Sequence, residues 1–121
     1  MADTSKTIFV VDDSMFMRKL LTTSLEDAGY KNIVECENGA QCLEKVADGK
    51  PDLIFLDLVM PEMGGLDVLK EIGKQLNIVV VSAVGQDQMI EEAKGHGAKG
   101  YVVKPFEKQQ VLDVLQGLFG A

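Results

Sequence analysis

Short runs of apolar residues recur along the chain, and within each run the apolar residues are continuous rather than alternating with polar ones. Four runs are strong and cover residues 8–11, 53–56, 78–81 and 101–103. They are rich in β-branched residues, a pattern typical of strands that are buried on both faces of a parallel sheet. A weaker run at 32–37 has Ile and Val among polar residues, as an edge strand does. The pattern predicts five strands.

Segments with helical spacing separate these strands. In the first segment the spaced positions are Met17, Leu20, Leu21, Ser24, Leu25 and Ala28. Ser14 precedes them as an N-cap, and Gly29 follows them as a C-terminal glycine. Four further helices are predicted around residues 40–47, 66–72, 89–93 and 111–119.

The alternation of strands and helices predicts a doubly wound α/β fold. Such a fold has a parallel sheet with right-handed crossovers and helices on both faces. We expect the strand order 2-1-3-4-5, one of the two common orders of open α/β sheets. A chain of 121 residues has the size of one compact domain, so we predict a single domain over residues 1–121.

The charge balance restricts the partners of this protein. The chain carries 12 Lys and Arg residues against 19 Asp and Glu residues, a net charge of −7. The resulting field repels phosphate backbones and anionic lipids, so we expect neither nucleic acid nor membrane as a partner. Neither a secretory signal nor a membrane span is visible in the sequence, which predicts a cytoplasmic protein. We expect Cys36 and Cys42 to be reduced and buried.

Residues with reactive side chains follow four of the predicted strands. Asp12 and Asp13 come after the first strand, Asp57 after the third, Ser82 after the fourth and Lys104 after the fifth. Ligands of open α/β sheets bind at the carboxyl ends of the strands, here between strands one and three. Three carboxylates gathered at this point require a cation, and Mg²⁺ accepts carboxylate ligands while it leaves positions for water and a phosphoryl oxygen. We therefore predict a magnesium site, with Ser82 and Lys104 facing it across Asp57.

Motifs at the predicted strand ends and turns cover essentially the whole chain. They are Val11-Asp12-Asp13, Leu56-Asp57, Met60-Pro61-Glu62-Met63-Gly64-Gly65, Val81-Ser82-Ala83, Gly97-Ala98-Lys99-Gly100-Tyr101 and Lys104-Pro105-Phe106. Together they resemble the receiver domain of bacterial two-component response regulators. Residues 16–18 and 82–86 are in addition similar to the stand-alone chemotaxis regulators of that family.

The resemblance implies how the acidic residues act. In the family, the residue that matches Asp57 accepts a phosphoryl group from a histidine kinase. The residues that match Asp12 and Asp13 hold Mg²⁺ together with Asp57, and the backbone carbonyl of Val59 completes the protein ligands. The resemblance therefore implies that a kinase is the phosphodonor and Mg²⁺ the cofactor.

The resemblance also implies a conformational switch. Ser82 and Lys104 bind the phosphoryl oxygens, and Tyr101 is the aromatic residue that moves inward when the Ser82 hydroxyl is drawn to the phosphoryl group. The Lys104-Pro105 peptide bond is expected to be cis. A downstream protein is expected to bind the surface formed by the fourth helix, the fifth strand and the fifth helix. The flagellar motor switch is one candidate for it, a phosphatase is a further expected partner, and we expect a monomer.

Small departures from the family pattern concern the lifetime of the phosphorylated state. Ser82 stands where Thr is more usual, and Val59 and Val84 are apolar at flanking positions that often carry polar residues. Valine can neither orient nor hydrogen-bond the water that hydrolyses the phosphoryl group, so we expect a long-lived phosphorylated state.

Other functions remain to be weighed. A haloacid-dehalogenase-type phosphatase also uses a strand-end aspartate with Mg²⁺, but it needs an acid at the position of Val59. A flavodoxin-like FMN module would need a phosphate loop rich in Ser, Thr and Gly where Asp12 and Asp13 stand. We therefore expect a binding protein and not an enzyme. The chain ends soon after the fifth helix, which leaves a phosphorelay intermediate, a phosphate sink or a receiver cut from a longer protein as alternatives to a chemotaxis regulator.

Overall fold

Residues 4–120, the part of the chain that the computed structural model describes, form a parallel sheet with helices on both faces. The strands are β1 (Thr7–Val11), β2 (Asn32–Cys36), β3 (Leu53–Asp57), β4 (Ile78–Ala83) and β5 (Gly100–Lys104). The helices are α1 (Met15–Asp27), α2 (Gly39–Asp48), α3 (Gly65–Ile72), α4 (Asp87–Gly95) and α5 (Lys108–Phe119). The strand order is β2-β1-β3-β4-β5, so the predicted fold class and order are confirmed. Residues 1–3 and residue 121 of the predicted domain lie outside the described part.

Two apolar cores form, one on each face of the sheet. On one face, α2, α3 and α4 cover side chains such as Phe9 and Leu56. On the other face, α1 and α5 cover side chains such as Ile8 and Phe55. Central strands contribute alternate residues to both cores, which explains why their sequences are continuously apolar. The edge strand β2 is partly exposed, as its mixed sequence predicts.

Three of the strands are longer at their carboxyl ends than the apolar runs predict. The ladder between β4 and β5 continues through the pairs Ser82–Val103 and Ala83–Lys104. Asp57 is likewise the last residue of β3. The expectation that Asp57, Ser82 and Lys104 follow their strands is therefore wrong by one or two residues, because main-chain pairing continues past the last apolar side chain.

Helix α1 begins and ends where its sequence predicts, and it buries Leu21 and Leu25 of the predicted positions together with two residues that the spacing did not include. The Ser14 side chain accepts a hydrogen bond from the Met17 N–H at 3.3 Å, and Gly29 has a φ of 98°. The buried residues of α1 are Arg18, Leu21, Thr22 and Leu25. Leu20, one of the spaced apolar positions, is 43% exposed. The buried side of α1 thus includes an arginine.

Three smaller expectations have an outcome in this part of the chain. Cys36 and Cys42 are free and buried, as predicted. The Lys104-Pro105 peptide bond is cis, as the resemblance implies. Within residues 4–120, the helices are too short or too polar for any of them to cross a membrane.

Candidate functional site

The register of the two central strands brings two aspartates together. Val11 of β1 is paired with Leu56 of β3, so Asp12 and Asp57 emerge side by side at the carboxyl edge. Both residues are only 5% exposed, whereas Asp13 is exposed beside them. Carboxylate oxygens of all three residues lie within 4.8 Å of one another. The fold therefore gathers the three predicted acids into one cluster.

Burial and like charge act on Asp57. Burial and then the Asp12 carboxylate raise the pKa of the Asp57 carboxyl, and Lys104 and the Val59 N–H lower it. The net result is a pKa of about 6. The Val59 N–H donates to Asp57 Oδ1 at 3.2 Å. Asp57 is thus a carboxylate whose negative charge is only partly offset, which favours its reaction with an electrophile or a cation.

Lys104 lies between the two buried aspartates. Its Nζ is 3.0 Å from Asp12 Oδ2 and 3.4 Å from Asp57 Oδ2. Burial lowers the pKa of Lys104, but the hydrogen bond to Asp12 and the charges of both carboxylates outweigh burial and raise it. The sequence places Lys104 on the far side of Asp57, yet its flexible stem reaches past Asp57 to the strand beyond.

The donor set fits a hard divalent cation. The carboxylates of Asp12, Asp13 and Asp57 offer oxygen atoms that lie within 4.8 Å of one another, and Asp13 is open to solvent. Mg²⁺ binds one or two carboxylates directly and completes its shell with water. The cluster could therefore hold a metal ion.

Ser82 and Tyr101, the two residues of the expected switch, have different surroundings. Ser82 is fully buried, and within residues 4–120 its Oγ is the one buried side-chain oxygen or nitrogen without a hydrogen-bond partner. Tyr101 is 47% exposed and lines a groove with Ile90 and Lys94 of α4. The Lys94 Nζ lies 5.2 Å above the Tyr101 ring. The structure thus places the Tyr101 side chain outside the carboxylate cluster.

Two valines follow the strands that carry Asp57 and Ser82. Val59 is 52% exposed and Val84 is 80% exposed. The Val59 N–H donates to the Asp57 side-chain carboxylate, as described above, whereas Val84 lies beyond the end of β4. Both side chains are accessible to water at the carboxyl edge of the sheet.

Gly65 fixes how closely helix α3 approaches Asp57. A Cβ atom at Gly65 would lie 2.5 Å from the Asp57 carbonyl oxygen and 2.8 Å from Leu58 Cα. The Gly65 N–H donates to the Leu58 carbonyl at 3.0 Å. Only glycine fits at this position, which explains the second glycine of the Gly64-Gly65 pair.

The sequence did not reveal Arg18 as part of this region. Its Nη1 donates to the Asp12 carbonyl at 2.7 Å, and its Nε donates to Glu35 Oε1 at 3.1 Å. A signal was present, because Arg18 precedes Leu21 and Leu25 at the spacing of one helix face. Arginine at such a position is commonly solvated, so this spacing alone does not distinguish a buried role.

Comparison with known proteins identifies the family. The response regulator receiver domain profile matches residues 8–116. Chemotaxis protein CheY of Thermotoga maritima is 42% identical over 113 residues, which cover 91% of this chain and 94% of that protein. The structure of Vibrio cholerae chemotaxis protein CheY4 is 29% identical, with a TM-score of 0.86, and the match covers 94% of this chain and 98% of that chain.

A longer chain contains a domain of similar fold. NtrX of Brucella abortus is 29% identical with a TM-score of 0.88, and the match covers 95% of this chain but only 27% of NtrX. The match therefore spans about a quarter of NtrX. Domains of this fold thus occur both within longer chains and as nearly whole proteins.

The fold and the acidic site define a receiver domain of two-component signalling, and the chain belongs to the response regulator receiver domain family. Receiver domains of this family are phosphoryl-accepting signal transducers and are generally non-enzymatic. Neither the haloacid-dehalogenase-type phosphatase nor the FMN module is favoured by these findings.

Proposed function

We propose that this protein is a chemotaxis response regulator that takes a phosphoryl group from a histidine kinase onto Asp57. The observation that carries the proposal is the cluster of Asp12, Asp13 and Asp57 bridged by Lys104, in a chain 42% identical to a chemotaxis CheY over 94% of that protein's length. The kinase, the phosphatase and the flagellar motor switch are proposed as partners.

Asp57 is proposed as the nucleophile. A carboxylate oxygen of Asp57 attacks the phosphorus of a phosphohistidine, the P–N bond breaks, and the electron pair returns to the imidazole nitrogen. The product is a mixed anhydride of phosphate and the Asp57 carboxyl. Transfer is catalysed by the receiver itself, because Lys104 already lies 3.4 Å from Asp57 and can stabilise charge on the phosphoryl oxygens.

Asp12, Asp13, Asp57 and the Val59 carbonyl are proposed to hold Mg²⁺. When bound, Mg²⁺ neutralises the carboxylates and draws charge from the phosphoryl oxygens. Lys104 is 3.0 Å from Asp12, an attraction that stabilises the cluster in the metal-free protein. Its Nζ is then proposed to turn from the carboxylates toward the phosphoryl group, to which it donates hydrogen bonds.

Ser82 and Tyr101 are proposed to transmit the signal. The Ser82 hydroxyl is buried without a partner, so a phosphoryl oxygen near Asp57 offers it a hydrogen bond that the unmodified protein does not. Movement of Ser82 toward that oxygen leaves space for the Tyr101 ring. We propose that Tyr101 then leaves its groove beside Lys94, which changes the surface of α4, β5 and α5 that binds the target.

Intact-mass spectrometry after incubation with acetyl phosphate and Mg²⁺ tests the phosphoacceptor. We expect one phosphoryl adduct in the wild type and in Asp48→Asn, a matched control at the exposed end of α2. Asp57→Asn should give no adduct. Full incorporation in Asp57→Asn would overturn the assignment.

Binding to the flagellar motor switch protein of the same organism tests the pathway. Beryllofluoride with Mg²⁺ mimics the phosphorylated state, and we expect it to strengthen binding in the wild type but not in Asp57→Asn. A protein that is phosphorylated on Asp57, ignores the motor switch and passes its phosphoryl group to a histidine phosphotransfer protein would instead be a phosphorelay intermediate.

A further inference from the structure

Arg18 is a charged side chain on the buried side of a helix. It lies in the first turn of α1, is 6% exposed, and packs between the end of β1 and the edge strand β2. Burial of a charge is costly unless hydrogen bonds compensate it. The two partners of Arg18, the Asp12 carbonyl and the Glu35 carboxylate, provide that compensation.

The hydrogen bond to Asp12 acts on the main chain and not on the side chain. Asp12 lies just beyond the last residue of β1, and its N–H donates to the Cys36 carbonyl at 3.1 Å. Arg18 Nη1 donates a hydrogen bond to the Asp12 carbonyl at 2.7 Å. The Asp12 main chain is thus held at both its donor and its acceptor.

This contact reaches Asp13 as well. The Asp12 carbonyl and the Asp13 N–H belong to one planar peptide unit. A fixed carbonyl therefore fixes the direction in which the chain enters Asp13. The Ser14 N–H also donates to Asp12 Oδ1 at 2.9 Å. The turn that carries both carboxylates is therefore held by Arg18 at the Asp12 carbonyl and by Ser14 at the Asp12 side chain.

Arginine suits this place better than lysine. The planar guanidinium donates through Nη1 to Asp12 and through Nε to Glu35 in two fixed directions. Glu35 is half exposed, and its own carbonyl accepts from Lys45 Nζ at 2.9 Å. The contact to Asp12 is the buried and shorter of the two Arg18 contacts, so it is the one that orders the acidic turn.

We propose that Arg18 is a positioning residue of the cation site: through the Asp12 carbonyl it fixes the turn that carries Asp12 and Asp13 and so sets the affinity for Mg²⁺. This inference rests on the proposed function, in which these carboxylates hold Mg²⁺. Arg18 does not contact the cation or the phosphoryl group in this role.

Charge and positioning predict opposite effects of removing Arg18. A positive charge close to a cation site repels the cation, so a purely electrostatic Arg18 would weaken Mg²⁺ binding and its removal would strengthen it. A positioning Arg18 strengthens Mg²⁺ binding, and its removal weakens it. The direction of the change therefore separates the two roles.

Isothermal titration calorimetry with Mg²⁺ on the full chain tests the proposal. We expect Arg18→Met to raise the dissociation constant about tenfold, the lower end of what loss of a residue supporting a metal ligand costs. Arg18→Lys keeps the positive charge but lacks the planar guanidinium that donates in two fixed directions. It should therefore also bind Mg²⁺ more weakly than the wild type. Glu35→Gln is the matched control. It should change the constant by less than about twofold, because the glutamine oxygen can still accept from Arg18 Nε and the contact of Arg18 with the Asp12 carbonyl is untouched.

Kinetics with acetyl phosphate give the second measurement. For Arg18→Met and Arg18→Lys we expect slow phosphorylation at low Mg²⁺ and recovery toward the wild-type rate at saturating Mg²⁺. If Arg18→Met does not fold, Arg18→Lys carries both measurements, with folding checked by circular dichroism.

Three results would overturn the proposal: unchanged or tighter Mg²⁺ binding in the folded Arg18 variants, an equal loss in Glu35→Gln, or a rate defect that saturating Mg²⁺ does not relieve. Mg²⁺ binding and phosphorylation of the wild type distinguish a failure of the positioning role from a failure of the proposed function. If the wild type binds Mg²⁺ and is phosphorylated while the Arg18 variants behave like it, only the positioning role is wrong. If the wild type itself does not bind Mg²⁺, both fail.

Discussion

Asp57 combines burial, a neighbouring negative charge and a lysine in one small volume. A buried carboxylate whose negative charge is poorly neutralised in the metal-free protein favours binding of a cation and reaction with phosphorus. The same feature opposes folding, since ionisation of a carboxyl with a raised pKa is more costly in the folded than in the unfolded chain. The proposed function of Asp57 and the stability of the folded chain are therefore in conflict.

Replacement of Asp57 by asparagine should stabilise the metal-free protein at neutral pH. The pKa of Asp57 is raised from 3.8 to about 6, so the folded state is penalised when Asp57 ionises. We expect Asp57→Asn to raise the free energy of unfolding by about 1–3 kcal/mol above pH ~6, with no gain below pH ~4. Urea unfolding at several pH values with a chelator present measures this.

Asp48→Asn makes the same chemical change at the exposed end of α2 and again serves as the control. It should leave the free energy of unfolding within about 0.5 kcal/mol of the wild-type value. A gain for Asp57→Asn that is equal at acid and neutral pH, or a loss at neutral pH, would contradict the assigned origin of the effect.

The two exposed valines should control how fast the phosphoryl group is lost. Val59→Asn places an amide beside Asp57 that can orient the attacking water, and we expect autodephosphorylation to accelerate about tenfold. Val84→Glu should also accelerate autodephosphorylation, but more weakly, because Val59 is the valine whose N–H donates to the Asp57 carboxylate. Decay of the phosphorylated protein after removal of acetyl phosphate gives both rates.

Leu20→Gln is the control for a mere increase in surface polarity, since Leu20 is 43% exposed on α1. Its decay rate should equal that of the wild type. Equal rates in all four proteins would show that neither valine governs access of water.

At the scale of elements, the site depends on how closely α3 approaches the end of β3. The main chain of Asp57 and Leu58 leaves no space for a side chain at Gly65. The Gly65 N–H and the Leu58 carbonyl form the hydrogen bond that joins the two elements. The position of Asp57 is thus set by a helix start eight residues further along the chain.

A matched pair of glycine variants tests this close approach. Gly65→Ala should lower the free energy of unfolding by about 1–3 kcal/mol, because the new methyl group overlaps main-chain atoms that cannot move freely. Gly117→Ala, at an exposed position of α5 where an added Cβ would meet no atom of residues 4–120 within 4 Å, should raise the free energy of unfolding by about 0.5–1 kcal/mol. Urea unfolding measures both, and stabilisation by Gly65→Ala would refute the close contact.

At the scale of the whole molecule, the proposed switch would connect the acidic cluster to the surface around Tyr101. Ser82 is fully buried, whereas Tyr101 lies at the surface beside Lys94. Phosphorylation can shift the surface only if it binds one arrangement of Ser82 and Tyr101 better than the other. The buried hydroxyl without a partner offers such a difference.

Beryllofluoride with Mg²⁺ should shift two-dimensional NMR signals both near Asp57 and across residues 89–99 and 101–111. In Ser82→Ala the shifts near Asp57 should persist while the distant ones largely disappear, because the hydroxyl that relays the change is gone. The variant should be as stable as the wild type, since the hydroxyl has no hydrogen bond to lose. Wild-type shifts confined to the surroundings of Asp57 would argue against a switch.

Much of the fold follows from the sequence alone. Continuous β-branched runs can be buried only between two layers, and helical spacing with Ser14 and Gly29 at its ends defines α1. Parallel strands bring their carboxyl ends to one edge, so the meeting of Asp12 and Asp57 was predictable from topology without any side-chain coordinates. The motifs that resemble the receiver family lie at the strand ends and turns, in the order in which the strands follow along the chain.

Only the tertiary structure decided where individual side chains point. Lys104 reaches Asp12 as well as Asp57, Arg18 turns inward to the Asp12 carbonyl, and Tyr101 lies outward beside Lys94. Periodicity reports which face of an element is buried on average, whereas these orientations depend on contacts between residues far apart in the chain. A long charged side chain can be solvated or buried at the same position, and the choice is made by the partners that folding brings within reach.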